Sequence, residues 1–215
     1  MSLRVVLYGE GGRDIGGEGP VPSPGARLTD DDLGPAHILL RRSVHRIRRV
    51  PEQAVHFEAG LRVDRGRVPR GGMLLDRGNL RRLCSWATPA RAPQLVVVLV
   101  DADDDATRQG TLEGYLLGVS VPFVVGVAVQ EFESWLVADG PAASRVCGAT
   151  LAVDEEIERL GRREAKERLN GWISSQSRLG DREVRRSIAE TCDLAVLERR
   201  CPSFRALLVA LTPRS

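Results

Sequence analysis

The stretch LVVVLVDADDD at residues 95–105 determines the fold that we expect for this chain. Its first six residues are apolar and mostly β-branched, which favours a strand over a helix. The run does not alternate between apolar and polar residues, so we expect both of its faces to be buried, as in a parallel sheet covered by helices. Aspartates follow at once. The sequence therefore predicts a buried parallel strand that ends in carboxylates.

Two further apolar runs, at residues 3–8 and 123–129, have the same character and are expected to be strands. Residues 107–117 are typical of a crossover helix, which makes residues 95–129 a βαβ unit. The glycine-containing stretch at 62–72 is expected to hold a short strand and a turn. The fold class that we predict is α/β, with a parallel-sheet core of about four strands flanked by helices.

The remaining segments are predicted to be helical or irregular. Residues 11–34 are rich in glycine, proline and aspartate and are expected to form a long loop. Helices are predicted at residues 37–50, 74–86, 131–138, 154–173, 181–192 and 203–211, with the turn Asp139-Gly140-Pro141 ending the helix at 131–138. We therefore expect an α/β core at residues 1–150 and a helical C-terminal extension, packed on that core, at residues 151–215.

Composition excludes several classes of protein. The 215 residues carry a net charge of +2, with 42% hydrophobic and 28% charged residues, as in ordinary globular domains. Four cysteines form no C-x-x-C pair, so neither a zinc knuckle nor a disulfide framework is indicated. No run approaches the roughly 18 apolar residues of a membrane span, and the N-terminal run is too short for a signal peptide. We expect a cytoplasmic protein with no membrane partner.

Acidic residues follow all three predicted strands. Glu10 and Asp14 follow the first, Asp101 and Asp103 the second, and the third is followed by a Glu131-Phe132-Glu133 segment. The carboxyl ends of parallel strands lie at one edge of a sheet, where ligands bind. Carboxylate oxygens are the ligands that Mg²⁺ and Mn²⁺ prefer. Alternation along an extended segment would place Asp101 and Asp103 on the same side, able to hold one ion together.

Each acidic motif taken alone also has a simpler interpretation. A D-x-D at a strand end is often a solvated loop that caps a helix, G-E-G-G is commonly a turn, and glutamates in a first helical turn are favourable charges. Their joint occurrence at three strand ends favours a metal site. The candidate metal ligands are Glu10, Asp14, Asp101, Asp103, Glu131 and Glu133, and the candidate catalytic residues are Glu10, Asp101 and Asp103.

These motifs resemble a known family. VLYGEGGRD at residues 6–14, VLVDAD at 98–103 and VQEFESWLVAD at 129–139 resemble the Toprim domain of topoisomerases, DnaG-type primases and overcoming-lysogenization-defect nucleases. They are closest to small stand-alone bacterial Toprim-like proteins of unknown function with suggested roles in phage defence. RCPSFRALL at 200–208 resembles the end of that group. The insertion at residues 15–34 has no counterpart in the resemblance.

The resemblance implies particular roles. Glu10 matches the Toprim glutamate that serves as general acid/base or ligand, and Asp101 and Asp103 match the metal-binding aspartates. The implied function is Mg²⁺- or Mn²⁺-dependent phosphodiester chemistry on nucleic acid, most simply that of a nuclease. The alternative is a non-catalytic subunit that binds nucleotide or nucleic acid beside an ATPase partner protein. A homodimer, and the choice between DNA and RNA, stay open.

Arginines are the candidate nucleic-acid-binding residues, because a guanidinium binds phosphate through paired donors and two clusters of them could line a phosphate track. Their number alone, with a single lysine beside thirty arginines, also fits a GC-rich coding sequence. The alternative is that those in the predicted helix 37–50 form its solvated face. The primary candidates are Arg13, Arg41, Arg42, Arg46 and Arg49, joined by Arg48 and by a second cluster of Arg62, Arg65, Arg67, Arg70, Arg77, Arg81 and Arg82.

Two other enzyme classes that use D-x-D fit less well. Haloacid-dehalogenase phosphatases carry the motif on their first strand and need a later lysine, whereas here it follows about 100 residues, and Lys166 lies in a charged helical stretch. Glycosyltransferases that bind manganese through D-x-D would leave Glu10 and Glu131 unexplained.

Overall fold

The computed structural model describes residues 2–16, 22–63, 66–148, 150–151, 157–161, 163–176 and 179–213. In these ranges one sheet of four parallel strands forms, with the order β2-β1-β3-β4. The strands are β1 (Leu3–Gly9), β2 (Val55–Phe57), β3 (Leu95–Asp101) and β4 (Phe123–Ala128). The predicted α/β class with a parallel core is confirmed.

Helices cover both faces of the sheet, as the non-alternating apolar runs predict. Between the strands lie α1 (Gly12–Ile15), α2 (Pro35–Arg48), α3 (Arg77–Leu83) and α4 (Arg108–Leu116). Along β3, Val97 and its alternate neighbours share a core with α2, while Val98 and its alternate neighbours share another with α3 and α4. Each valine is almost fully buried, so neither face of β3 is left to solvent.

Six helices follow β4 in the described ranges. They are α5 (Glu133–Val137), α6 (Gly140–Cys147), α7 (Glu164–Gln176), α8 (Asp181–Thr191), α9 (Leu194–Arg200) and α10 (Pro202–Ala210). Helix α10 packs on β4 and α8 packs on α2. A Cβ built at Gly126 would lie 3.0 Å from Leu207 Cδ1, so a side chain at this position of β4 would require Leu207 to shift. The C-terminal helices and the sheet share one apolar core.

The structure differs from the expectations at several element boundaries. The fourth strand is β2, not a segment of 62–72, where only an isolated bridge joins Val63 and Arg67. A strand of three residues gives too short a pattern to recognise. Helix α5 ends before Asp139, but α6 begins there, because the Asp139 side chain accepts the Ala142 N–H and caps a new helix. Part of the predicted helix 154–173, namely residues 154–156 and 162, lies outside the described ranges, as do residues 152–153 before it.

The strand order creates a crevice at the carboxyl edge of the sheet. From β1 the chain crosses to β2 on one side, and from β3 it crosses to β4 on the other. The neighbouring strands β1 and β3 therefore send their following loops in opposite directions, which opens the ligand-binding position of doubly wound sheets. Nowhere in the described ranges is a helix long and apolar enough to span a membrane.

Candidate metal centre

Glu10 bridges the two strands that flank the crevice. Its backbone N–H donates to the Leu99 carbonyl at 3.1 Å and so continues the β1–β3 ladder by one residue. Its side-chain Oε2 accepts the Asp101 backbone N–H at 3.0 Å. The Glu10 carbonyl also accepts the Gly71 N–H at 3.2 Å. The carboxylate of Glu10 is therefore fixed directly beside the end of β3.

Asp14 is brought back to the same place by the short helix α1. A Cβ at Gly11 would lie 2.0 Å from Asp14 Oδ2, so only glycine lets this carboxyl group fold onto the turn. The residue is 8% exposed. Burial raises the pKa of Asp14 to about 7, helped by the charges of Glu133 and Glu10 and opposed by those of Arg185 and Lys166.

Asp101 ends β3 and lies at the centre of the acidic group. Its Oδ1 accepts the Phe132 backbone N–H at 2.9 Å, which ties β3 to the segment after β4. Burial, followed by the charges of Asp14, Glu10 and Glu133, raises the pKa of Asp101 to about 8. Four carboxylates from three strand ends are thus within electrostatic reach of one another. We call Glu10, Asp14, Asp101 and Glu133 the acidic cluster.

Glu133 is held by cations from the C-terminal helices. It is 3% exposed, and its Oε1 accepts from Arg185 Nη1 at 2.8 Å and lies 3.6 Å from Lys166 Nζ. Arg185 is fully buried and also donates to Asp181 and Asn170, each at 2.8 Å. Helices α7 and α8 therefore offset part of the negative charge of the acidic cluster.

Glu131 and Asp103 have other partners. Glu131 Oε2 accepts the backbone N–H of Lys166 at 3.1 Å, near the beginning of α7. Asp103 Oδ2 accepts from Arg108 Nη1 at 3.2 Å. The extended alternation that we expected from Asp101 to Asp103 is wrong, because β3 ends at Asp101 and the backbone at Asp103 is left-handed, with φ of 43°. Asp103 belongs to the turn that leads into α4.

The donor set and the charge of the acidic cluster fit a hard divalent cation. Its members are mutually repelling carboxylates, of which Asp14 and Glu133 are buried and Glu10 and Asp101 half-buried, so a cation would offset a cost that the raised pKa values of Asp14 and Asp101 express. Among the described residues, however, no three His, Cys, Asp or Glu side chains stand in an arrangement that would hold one ion. A bound ion would therefore require adjustment of these side chains.

Most of the predicted nucleic-acid-binding arginines of α2 serve the packing of the C-terminal helices. Arg42 donates to the carbonyls of Ala189 and Cys192, each at 2.7 Å, and so caps the end of α8. Arg46 is ion-paired with Glu198 of α9. Because α2 connects two parallel strands, it begins at the carboxyl edge and runs toward the opposite one. Its last arginines, Arg46 and Arg48, therefore lie away from the acidic cluster. Nucleic-acid binding by Arg42, Arg46 and Arg49 stays a prediction.

The other predicted arginines have mixed roles. Arg41 lies 3.2 Å from Asp30 and 5.8 Å from the centre of the Phe57 ring. Arg48 donates to the Leu211 carbonyl at 2.7 Å, and Arg81 donates to the carbonyls of Tyr115 and Leu117 at the end of α4. Arg49 and Arg77 are exposed, and Arg65 lies outside the described ranges.

Three arginines do lie near the acidic cluster. A cleft of about 500 Å³ beside the turn Gly11-Gly12 is lined by Arg13, Arg70 and Arg182. Arg13 lies 3.5 Å from Asp181. A Cβ at Gly12 would be 2.8 Å from Arg70 Nη1, so the Arg70 guanidinium rests on this turn. Positive charge therefore borders the candidate metal centre on the side of α1.

Sequence reasoning missed Lys166, Asp181, Arg182 and Arg185. One signal was present for Arg185, which lies on the apolar face of the predicted helix 181–192, three and four residues before Ile188 and Ala189. An arginine on such a face indicates a buried ion pair. No family model, curated protein or solved structure matched the chain when it was compared with known proteins.

Proposed function

We propose that this chain is a Toprim-type, metal-dependent phosphodiesterase that acts on nucleic acid. The observation that carries the proposal is the meeting of Glu10, Asp14, Asp101 and Glu133 at the crevice between β1 and β3. The raised pKa values of Asp14 and Asp101 express a cost in stability, and groups perturbed in this way in a cleft are candidates for function. Binding of Mg²⁺ or Mn²⁺ would offset this cost, because the carboxylates would then be ligands of the cation.

The proposed role of each residue in the reaction follows from its contacts. A bound Mg²⁺ or Mn²⁺ supplies activation of water and stabilisation of charge on the phosphoryl group. Asp101 and Asp14 are the ligands that must release protons, since their pKa values are about 8 and about 7. Glu10, fixed by the Asp101 N–H, is positioned to accept or return a proton. Arg185 keeps Glu133 in place as a charged neighbour.

The surroundings support a polyanionic substrate. Carboxylates alone would repel a phosphodiester backbone, and the arginine-lined cleft next to α1 offsets this repulsion. Guanidinium groups bind phosphate oxygens through paired N–H donors. The positive residues Arg13, Arg70 and Arg182 are therefore the proposed backbone contacts, in place of the arginines of α2.

The test is cleavage of labelled single- and double-stranded DNA and RNA with Mg²⁺, Mn²⁺ or EDTA. We expect cutting that requires metal and falls at least about 100-fold in Asp101→Asn, because removal of a metal ligand removes charge stabilisation in the transition state. Asp104→Asn is the matched control: Asp104 lies in the same loop but is exposed and accepts from Gln130. Equal activity of Asp101→Asn and wild type would refute the assignment.

A second candidate function is a nucleotide- or nucleic-acid-binding subunit that works beside an ATPase. The observation that favours it is the lack, among the described residues, of three acidic or other ligand side chains arranged around one point. Absence of cleavage with every substrate, together with no metal binding by calorimetry, would select this function over the phosphodiesterase.

A further inference from the structure

Next to the arginine-lined cleft lies a second cavity, which shares part of its wall with the cleft. Its volume is about 90 Å³, and its walls include Tyr8, Ile15, Leu28, Glu58, Val68 and Arg70. A water molecule needs about 10–15 Å³ by this kind of measure, so the space corresponds to several waters. Tyr8 and Ile15 are close in sequence to Glu10 and Asp14. The cavity therefore opens beside the acidic cluster, with mainly apolar walls.

The cavity and the cleft are joined. Gly16 and Arg70 line both of them, and the Arg70 guanidinium rests on Gly12 at the turn that carries Asp14. One ligand could therefore place a flat apolar part in the cavity and an anionic part on Arg70. A nucleotide has this construction.

Glu58 provides the second, independent observation. Its side chain is only 10% exposed, and its Oε1 lies 3.6 Å from Arg4 Nη1. Its Oε2 is buried and accepts no hydrogen bond from the described residues. A buried acceptor without a donor costs about 1–3 kcal/mol, and more when it is charged. Glu58 lines the cavity, but Oε2 is enclosed by protein atoms, so a ligand N–H donor would remove that cost only after the side chain turns Oε2 toward the cavity.

The cavity wall is already shaped in the absence of a ligand. The Tyr8 hydroxyl donates to the Leu83 carbonyl at 3.0 Å and accepts the Leu61 N–H at 2.7 Å. Its ring is thereby fixed between β1 and the segment after β2. A Cβ at Gly60 would lie 2.4 Å from the Tyr8 ring, so the backbone packs directly on it. Such a wall binds without a large ordering cost.

We propose that this cavity binds a nucleobase that carries an exocyclic amino group, with Glu58 accepting from the amino group and Arg70 binding the phosphate of the same nucleotide. The inference rests on the proposed function, since it names the part of the nucleic acid that the site recognises beside the phosphodiester. A carboxylate that accepts from the amino group of cytosine is an established mode of base recognition.

The test uses pairs of mononucleotides that differ in one group, titrated into the full chain by calorimetry in EDTA. CMP and AMP carry the amino group, whereas UMP and IMP carry an oxo group in its place. We expect the amino member of a pair to bind at least about tenfold more tightly, as for a hydrogen bond to a charged partner. Glu58→Gln should bring this ratio close to one, because its amide also donates to an oxo group.

Two further variants test the place of binding. Val68→Trp, which fills the cavity, should weaken binding at least about tenfold, whereas Val209→Trp, at an exposed position of α10, should leave it unchanged. Arg70→Ala should reduce CMP binding to the level of cytidine, and the exposed Arg77→Ala should not. Circular dichroism of each variant identifies any that fail to fold, and the comparison of CMP with UMP on the wild-type chain needs no variant.

The proposal is overturned if the wild-type chain binds no mononucleotide at millimolar concentration, if oxo and amino bases bind equally, or if Val68→Trp binds as wild type does. These outcomes are separable from failure of the proposed function, because the titration requires neither metal nor cleavage. Metal-dependent cutting without mononucleotide binding would overturn only this inference. Nucleotide binding without cutting would support it and would overturn only the phosphodiesterase.

Discussion

Asp101 combines burial with three neighbouring negative charges, and the result is a strong dependence on protonation. Its pKa rises from 3.8 to about 8, and the pKa of Asp14 rises from 3.8 to about 7. At a pH between 3.8 and these raised values, the carboxyl groups of Asp101 and Asp14 keep protons in the folded chain that they have released in the unfolded chain. Folding and proton binding are therefore coupled at the acidic cluster.

We expect the metal-free chain to lose stability as pH rises from about 4 to about 8. The contribution of Asp101 is fully present below pH 3.8, its unfolded value, and is lost as pH rises through about 8, its folded value. The measurement is urea unfolding in EDTA across this range. Asp101→Asn should show a smaller decrease than wild type, while Asp104→Asn should match wild type. Equal slopes in Asp101→Asn and wild type would contradict the assignment.

Divalent cations should reverse this loss. Above pH 8, Asp14 and Asp101 have released their protons, so Mg²⁺ or Mn²⁺ should raise the melting temperature of the wild-type chain. Binding at a hundredfold excess over the dissociation constant adds about 2.7 kcal/mol to stability. Thermal unfolding with and without EDTA measures the effect, and Asp101→Asn should gain clearly less. A gain of the same size in that variant would place the cation elsewhere.

Helices α5 and α8 are joined by the buried ion pair of Glu133 and Arg185. Arg185 is fully buried and donates to carboxylates from both helices, as well as to Asn170 of α7. A pair of this kind adds little net stability compared with apolar residues, but loss of one partner leaves the other charged and buried. The connection between these helices is therefore sensitive to removal of either charge.

Arg185→Met should lower the free energy of unfolding by about 3–5 kcal/mol, because the buried Glu133 carboxylate would lose the guanidinium that pairs with it. Urea unfolding measures the change. Arg182→Met in the same helix is the matched control, since Arg182 is exposed, and should cost less than about 1 kcal/mol. Adding Glu133→Gln to Arg185→Met should recover part of the loss. A variant as stable as wild type would show that the pair is not buried in solution.

Over the whole chain, the sheet and the C-terminal helices share a core. Trp135 of α5 lies 5.2 Å from Phe204 of α10, ring centre to ring centre, and its indole N–H donates to Ser203 at 2.8 Å. Helix α10 in turn covers β4. The predicted division at residue 150 therefore falls within one continuous apolar cluster.

From this shared core we predict a single unfolding transition. Tryptophan fluorescence, which reports on Trp86, Trp135 and Trp172, and far-ultraviolet circular dichroism should give coincident curves in urea. Phe204→Ala should shift both curves together by about 3–5 kcal/mol, as expected for a buried aromatic side chain. Two separated transitions would show that residues 151–215 unfold independently of the sheet.

The sequence by itself determined the fold class and most of the acidic cluster. Apolar runs without alternation require burial on both faces, and in a parallel sheet the residues after such runs meet at one edge. Glu10, Asp14, Asp101 and Glu133 could therefore be predicted to lie together from local pattern alone. The short β2 strand and the beginning of α6 could not be predicted in this way. Each depends on only a few residues, too few to show the periodicity of a strand or a helix.

Only the tertiary structure decided which charges surround that cluster. The direction in which α2 runs between parallel strands takes Arg46 and Arg49 away from the site, and the packing of α8 brings Arg185 to Glu133 over 52 residues of chain. The left-handed turn at Asp103 likewise depends on its loop rather than on strand alternation. Pairing between distant segments depends on how the apolar faces of the helices pack, and residue spacing along the chain does not contain that information.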